Sequence, residues 1–224
     1  MRVLGVDACR SGWVGVELVD GRFAAARLAP DLAALLDATP GVRAVGVAMP
    51  LGLVGTGWRE ADTAAAVVLG PRRASLFRVP PALVWQEPDY ASANRRCREL
   101  TGAGMSRQAW GLRVKLREAE SCERRWPGLL YEVHPEVSFR HLSGAPMAYA
   151  KTTWNGQAAR RTALAAHGVV VPDGIGAAGR AAPDDVLDAA AAAWSAHRIT
   201  TGRAVSYPDP PQRSASGQEI AIWA

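Results

Sequence analysis

The chain begins with two apolar runs, Val3–Val6 and Trp13–Val19, separated by a polar turn, Ala8-Cys9-Arg10-Ser11-Gly12. In the second run Val14, Val16 and Leu18 fall on one face and Gly15 and Glu17 on the other. That is strand periodicity, so the stretch predicts a β-hairpin. Gly12 suits the tight turn. Asp7 stands where the first strand runs out. A carboxylate at the end of a buried strand has lost much of its water, and needs a metal, a cation or several donors to stay charged. Two readings are open at Asp7: a ligand to a cation, or an acceptor for the turn amides.

The order of elements after the hairpin narrows the fold. Asp20-Gly21-Arg22 predicts a second tight turn, and Phe23–Leu28 a third strand. Pro30-Asp31 opens a helix over Asp31–Ala38, with Leu32, Leu35 and Leu36 inward. Val42–Met49 is short and apolar, as a central parallel strand should be. The resulting β-β-β-α-β order, with its right-handed crossover, brings the ends of strands one and four close together. Residues 55–128 predict a mainly helical stretch, with helices at Trp58–Leu69, Glu87–Thr101 and Ser106–Arg125 around a proline-bounded loop, Gly70–Pro81. A fifth strand follows at Leu129–His134 and a helix at Glu136–Leu142. Next come a basic helical segment, Lys151–His167, and an extended Val169–Val171. Pro183–Arg198 is the clearest helix: proline and acids suit its first turn, and its alanine run offers a face that can pack closely on a sheet. Ser206–Gly217 predicts a loop and Glu219–Trp223 a last strand. The expectation is one α/β domain over 1–224, with a mixed sheet of three antiparallel then parallel strands, helices on both faces, and a helical insertion over 55–128.

Composition bounds the function. A chain of 224 residues can bury a full core. Cys9, Cys97 and Cys122 form no CxxC, which predicts reduced thiols, no zinc site and a cytoplasmic protein. The predicted strand at the start of the chain leads to the expectation of no secretory signal, and no apolar run is long enough for a membrane span. The net charge of +5 and a pI of about 9.6 permit a polyanionic partner without demanding one. Self-association is open, with a homodimer among the allowed states.

The acids supply the chemistry. Asp185 and Asp188 are three apart and Asp184 and Asp188 four apart, so either pair shares a helix face. Capping and dipole complementation explain Asp184 and Asp185 equally well, but not Asp188, which lies in the second turn. After strand five, period-two alternation places Glu132, His134 and Glu136 on one face, with Glu136 directed toward Asp7. An acid ending strand one and a late acidic helix suggest a ribonuclease H-like fold. In that architecture carboxylates meet at the C-terminal sheet edge and hold two Mg²⁺ or Mn²⁺ ions about 4 Å apart for phosphodiester cleavage. Hard ions of this kind favour carboxylate oxygens.

Six segments carry a family resemblance: GVDACRSGWV at 5–14, MPLGL at 49–53, READ at 59–62, LGPRRASLF at 69–77, YEVHPEVSF at 131–139 and DDVLDAAAAAW at 184–194. Together they resemble the predicted RNase H-like nucleases catalogued as domain of unknown function 429. The resemblance implies a metal-dependent nuclease with Asp7, Glu136, Asp185 and Asp188 as catalytic carboxylates, and with Asp184 added as a metal ligand. One position departs. The family usually ends strand four with Asp-x-Pro, whereas this chain has Ala48-Met49-Pro50. Either Glu136 and Asp185 compensate, or the protein is weakened or inactive, or the residue was changed deliberately. A non-catalytic nucleic-acid-binding or scaffold protein of the same fold is the alternative.

The substrate-side candidates are Arg10, Arg72, Arg73, His134, Lys151 and Arg160, for phosphate contact in a nucleic acid or another phosphoester. Most charge runs are solvated faces; Arg72-Arg73 and Lys151 lie in resemblance-bearing loops, and Lys151 precedes a helix start at Thr152-Thr153. Trp58, Trp85, Trp110 and Trp154 have rings that stack on bases or fill cores. A kinase of the actin-like fold ranks lower, because no second phosphate loop is present.

Overall fold

Alternating apolar residues drive the first three strands into a meander. The computed structural model describes residues 1–214 and 217–224. Strands β1 (Arg2–Cys9), β2 (Gly12–Val19) and β3 (Arg22–Ala29) are antiparallel. Helix α1 (Leu32–Asp37), capped by the Asp31 side chain on the Ala34 amide, then leads to β4 (Val45–Val47), which runs parallel to β1. The insertion contributes α2 (Glu60–Leu69), α3 (Tyr90–Thr101), α4 (Arg107–Gly111) and α5 (Arg113–Arg125). It is followed by β5 (Leu130–Glu132), parallel to β4. Helices α6 (Pro135–Ser143), α7 (Trp154–Ala166) and α8 (Pro183–Thr200) come next. The five-stranded sheet has the order β3-β2-β1-β4-β5. This mixed sheet with helices on both faces is the expected fold class, and is consistent with an RNase H-like fold.

The sheet separates two cores. Leu4, Val6, Trp13, Val45 and Val47 face α1 and the insertion, whereas Val3, Val14, Val16 and Leu18 face α8. The second interface is close because both partners are small. A Cβ on Gly5 would lie 2.0 Å from the Ala193 nitrogen, and one on Gly46 would lie 2.3 Å from the Ala192 oxygen. The alanine run of α8 thus rests on the glycines of β1 and β4. That contact fixes the acidic first turns of α8 over the ends of the same strands.

Several expected boundaries shift. The central strands are shorter than their apolar runs, because the chain leaves the sheet at Ala48 and at Val133. Ser106–Arg125 is broken at Leu112 into α4 and α5. Pro88 holds the start of α3 back to Tyr90, with Asp89 as its cap. The predicted loop Ser206–Gly217 is corrected: Ser206–Arg213 forms β6, paired antiparallel with β7 (Glu219–Trp223). Its prolines occupy an irregularity between Tyr207 and Gln212, where no ladder bond is required of them. Ala215 and Ser216, within that predicted loop, lie outside the described residues. Val169–Val171 is extended but joins no sheet among the described residues.

Candidate active site

The carboxyl ends of β1, β4 and β5, the first turn of α6 and Asp188 in the second turn of α8 converge on one cavity of about 410 Å³, whose lining does not include Asp184 or Asp185. In an open α/β sheet this is where ligands bind, because strand ends leave a crevice there. Asp7, Ala48, His134, Glu136, Lys151, Asp188 and Arg72 all line it. The parallel register that pairs Val6 with Val47 puts Asp7 beside Ala48. Asp7 Oδ1 accepts from the Ala8 amide at 2.9 Å, and its carboxylate also faces the acids of α8 and the Lys151 ammonium.

Burial sets the electrostatics. It raises the Asp7 pKa well above the ordinary value, and Asp188 and Asp185 raise it further, against the pull of Lys151 and the Ala8 amide. Burial likewise pushes Asp188 up to about 6, with Lys151 opposing and Glu136 reinforcing. Lys151 Nζ lies 2.6 Å from Asp188 Oδ2 and 3.5 Å from Asp184 Oδ2. Burial alone would lower this ammonium's pKa, but the Asp188, Asp7 and Asp184 carboxylates outweigh it and hold the pKa high. The second oxygen of Asp188, Oδ1, is buried without a hydrogen-bond partner. Asp185 is half-buried; burial and the neighbouring Asp184 raise its pKa.

Glu136 reaches this cluster by another route than the alternation predicts. Strand β5 ends at Glu132, and Pro135 starts a helix, so the two-residue period stops before Glu136. Glu136 sits in the first turn of α6 and is held by the Arg160 guanidinium, with Arg72 Nε 3.8 Å away on the other oxygen. Arg160 is fully buried beneath it, against the ring of Phe139, and contacts the acid rather than the cavity. Arg10 and Arg73 are exposed outside the cavity lining. His134 is in the lining with its Nδ1 buried and unpartnered, and burial lowers its pKa.

A second network also borders this cavity, and its members had no site role in the sequence reading. Arg59, 1% exposed, bonds Asp62 Oδ1 at 2.5 Å and both Glu132 oxygens at 2.7 and 2.8 Å. It also donates to the Leu51 and Gly52 carbonyls, each at 3.3 Å. Glu132 accepts from the Leu51 amide, and Asp62 from the Val79 amide. Burial raises the Glu132 pKa although Arg59 opposes it, whereas the two acids keep the guanidinium charged. The available signal was that Arg59, Asp62 and Glu132 sit in two of the six resemblance-bearing segments.

Residues 5–213 match the family model described as Protein of unknown function (DUF429). The chain belongs to that family. No curated protein and no solved structure matches it. The structure places five of the six DUF429 segments as follows. GVDACRSGWV is the β1–β2 hairpin that presents Asp7, and DDVLDAAAAAW is the α8 face that presents Asp188. MPLGL, READ and the start of YEVHPEVSF are joined by Arg59. Among the described residues of this DUF429 chain, no group of three or more His, Cys, Asp or Glu side chains is gathered to hold a metal ion. Ala48 brings no oxygen, Glu136 is turned to two arginines, and Lys151 draws Asp184 and Asp188 to itself.

Proposed function

We propose that this chain is a phosphodiester hydrolase, nuclease-like in its chemistry, that works with one divalent ion, Mg²⁺ or Mn²⁺, held by Asp7 and Asp188. The observation that carries the reading is Asp188 Oδ1: a buried carboxylate oxygen with no donor, next to a second carboxylate. Leaving such an oxygen unpartnered is unfavourable, and a hard cation is its natural complement. Mg²⁺ sites commonly use one or two protein carboxylates, with water and substrate phosphate completing the shell, so this donor set fits. When bound, the ion supplies an activated water and stabilises charge on the phosphoryl oxygens. The two-ion arrangement implied by the resemblance needs further ligands from positions 48 and 136. Here position 48 is alanine and Glu136 is paired with Arg160, so the proposal retains one ion.

The remaining groups act from their own positions. Lys151 neutralises Asp188 and Asp184 and presents an ammonium beside the place a phosphate would take. Arg160 and Arg72 hold Glu136 as a fixed negative wall. His134, uncharged at neutral pH by burial, is available to orient a phosphate oxygen or a water.

Ala48 favours a second reading, a nucleic-acid-binding protein without turnover, and one experiment separates the two. Calorimetry with Mn²⁺ and Mg²⁺ is paired with hydrolysis of DNA, RNA and bis(p-nitrophenyl) phosphate, for the native chain, Asp7→Asn, Asp188→Asn and Ala48→Asp. A hydrolase binds about one ion per chain, and either asparagine variant loses at least about 100-fold in rate. Ala48→Asp binds metal more tightly. Nucleic-acid binding without cleavage by the native chain in either ion supports the second reading. Absence of metal binding in every form removes the first.

A further inference from the structure

Of the tryptophans that sequence alone leaves undivided between core and surface, Trp85 and Trp110 are buried, at 5% and 8% exposure. Trp58 is partly buried beneath the Arg78 guanidinium. Trp154 is different: it is 84% exposed at the first residue of α7. Five residues earlier on the same segment, Tyr149 is 50% exposed. Between them Ala150, Lys151 and Thr152 line the carboxylate cavity.

The segment is braced. Thr153 caps α7 by accepting from the Gly156 amide at 3.1 Å, and its amide and hydroxyl both donate to the Ala150 carbonyl, at 3.1 and 2.8 Å. Gly156 makes this possible, since a Cβ there would lie 1.8 Å from the same carbonyl. The Tyr149 carbonyl accepts from Arg160 at 3.2 Å and from Arg72 at 3.5 Å. The arginines that hold Glu136 therefore also hold the backbone that carries the two exposed rings. Two aromatic side chains are thus exposed, Tyr149 by half and Trp154 almost wholly, on a hydrogen-bonded backbone segment beside the cavity.

We infer that Tyr149 and Trp154 form a stacking platform for unpaired bases, so that the cleft takes single-stranded nucleic acid. This rests on the phosphodiester reading of the cavity and names its substrate class. Three observations favour that occupant over an apolar one. The rings flank an ammonium, Lys151. Arg72 and the exposed Arg73 lie in the loop adjoining the segment. The rings also adjoin the positive end of a helix, which suits a phosphate next to a stacked base. Base faces are accessible in a single strand and hidden in a duplex, so the platform discriminates between them.

The test reads binding alone, in EDTA, so hydrolysis and metal do not enter. Fluorescence anisotropy follows labelled oligo-dT and oligo-U of about 12 nucleotides, a length within the site sizes of single-strand binders, and a blunt duplex of equal length. Sedimentation velocity is run on the same samples. The expected result is tighter binding of a single strand than of the duplex. Trp154→Ala weakens it between about fivefold and a hundredfold, the range of a lost base stack, and Trp154→Phe stays within about twofold. Tyr149→Ala weakens it in the same direction. Because both rings are solvent-exposed, these variants fold, which circular dichroism checks. Unchanged affinity in Trp154→Ala overturns the inference, as does equal binding of duplex or no binding at all. Conversion of a dimer to a monomer by Trp154→Ala overturns it too, by making the platform a contact between copies. If Trp154-dependent binding is found but the native chain never cleaves in Mn²⁺, the hydrolase reading fails and the platform stands.

Discussion

Lys151 Nζ lies 2.6 Å from Asp188 Oδ2, so a protein ammonium already occupies one cation position in the carboxylate cluster. An arriving divalent ion competes with it for the same carboxylate. Lys151→Met removes the competitor and keeps most of the stem. The variant should bind Mn²⁺ at least about tenfold more tightly by calorimetry. Without metal it should melt lower, because a buried acid has lost its partner, and Mn²⁺ should restore the melting temperature. Unaltered Mn²⁺ affinity would mean that the ion sits elsewhere.

Asp7 gives a prediction with a pH sign. Its folded-state pKa is raised well above the ordinary 3.8, first by burial and then by Asp188. At pH values between the unfolded and folded pKa the native state keeps a proton that the unfolded chain has lost. Stability contributed by this group is therefore greatest at low pH, falls as pH rises through that window, and stays low above it. Asp7→Asn carries no such penalty, and its amide oxygen can still accept from the Ala8 amide. In EDTA it should exceed the native chain in stability at pH 8 by about 1 kcal/mol, or roughly 2–4 °C in melting temperature. The advantage should vanish near pH 4. An equal advantage at both pH values would show that charge is not its cause.

Gly46 tests how the site is assembled. A methyl group there meets the Ala192 carbonyl at 2.3 Å, which is backbone and cannot turn aside. Gly46→Ala should cost more than about 3 kcal/mol in urea denaturation, at the upper end for overpacking. In whatever fraction folds, α8 is displaced and Mn²⁺ binding is lost with it. Native-like stability would refute close packing of the helix on the strand.

Arg59 serves the frame rather than the reaction. Arg59→Met leaves Asp62 and Glu132 buried without their shared partner, at a cost of about 3–5 kcal/mol. Metal affinity of the folded fraction should be nearly unchanged, because Arg59 bonds Asp62, Glu132 and the Leu51 and Gly52 carbonyls and neither Asp7 nor Asp188. A selective loss of metal binding with stability intact would instead place Arg59 in the site.

The hairpin, the return strand and the acidic helix were legible in the sequence because each rests on local physics. Alternation marks a strand, and proline with acids marks the start of a helix. Asp188 could be singled out because it lies past the capping turn of its helix, and Asp7 because it ends a buried strand. Other features had no local signature. The alternation that reaches Glu132 ends before Glu136, since Pro135 converts the chain to a helix. Arg160 reads as a phosphate-contacting cation in a basic segment, yet it is buried beneath Glu136. The prolines of β6 mask a strand that only its partner β7 reveals.

Thus the sequence by itself determined most of the elements, β6 excepted, and which acids stand at their ends, since periodicity, capping and turn chemistry act over a few residues. Tertiary structure alone decided what those acids meet. The contact of alanines with Gly5 and Gly46 sets α8 over β1, and brings Asp188 to Asp7 across most of the chain's length. Folding of the distant 149–154 turn puts Lys151 between the carboxylates and leaves Trp154 in water. Burial and charge proximity are properties of that assembly, and they, rather than residue type, set the protonation of Asp7 and Asp188.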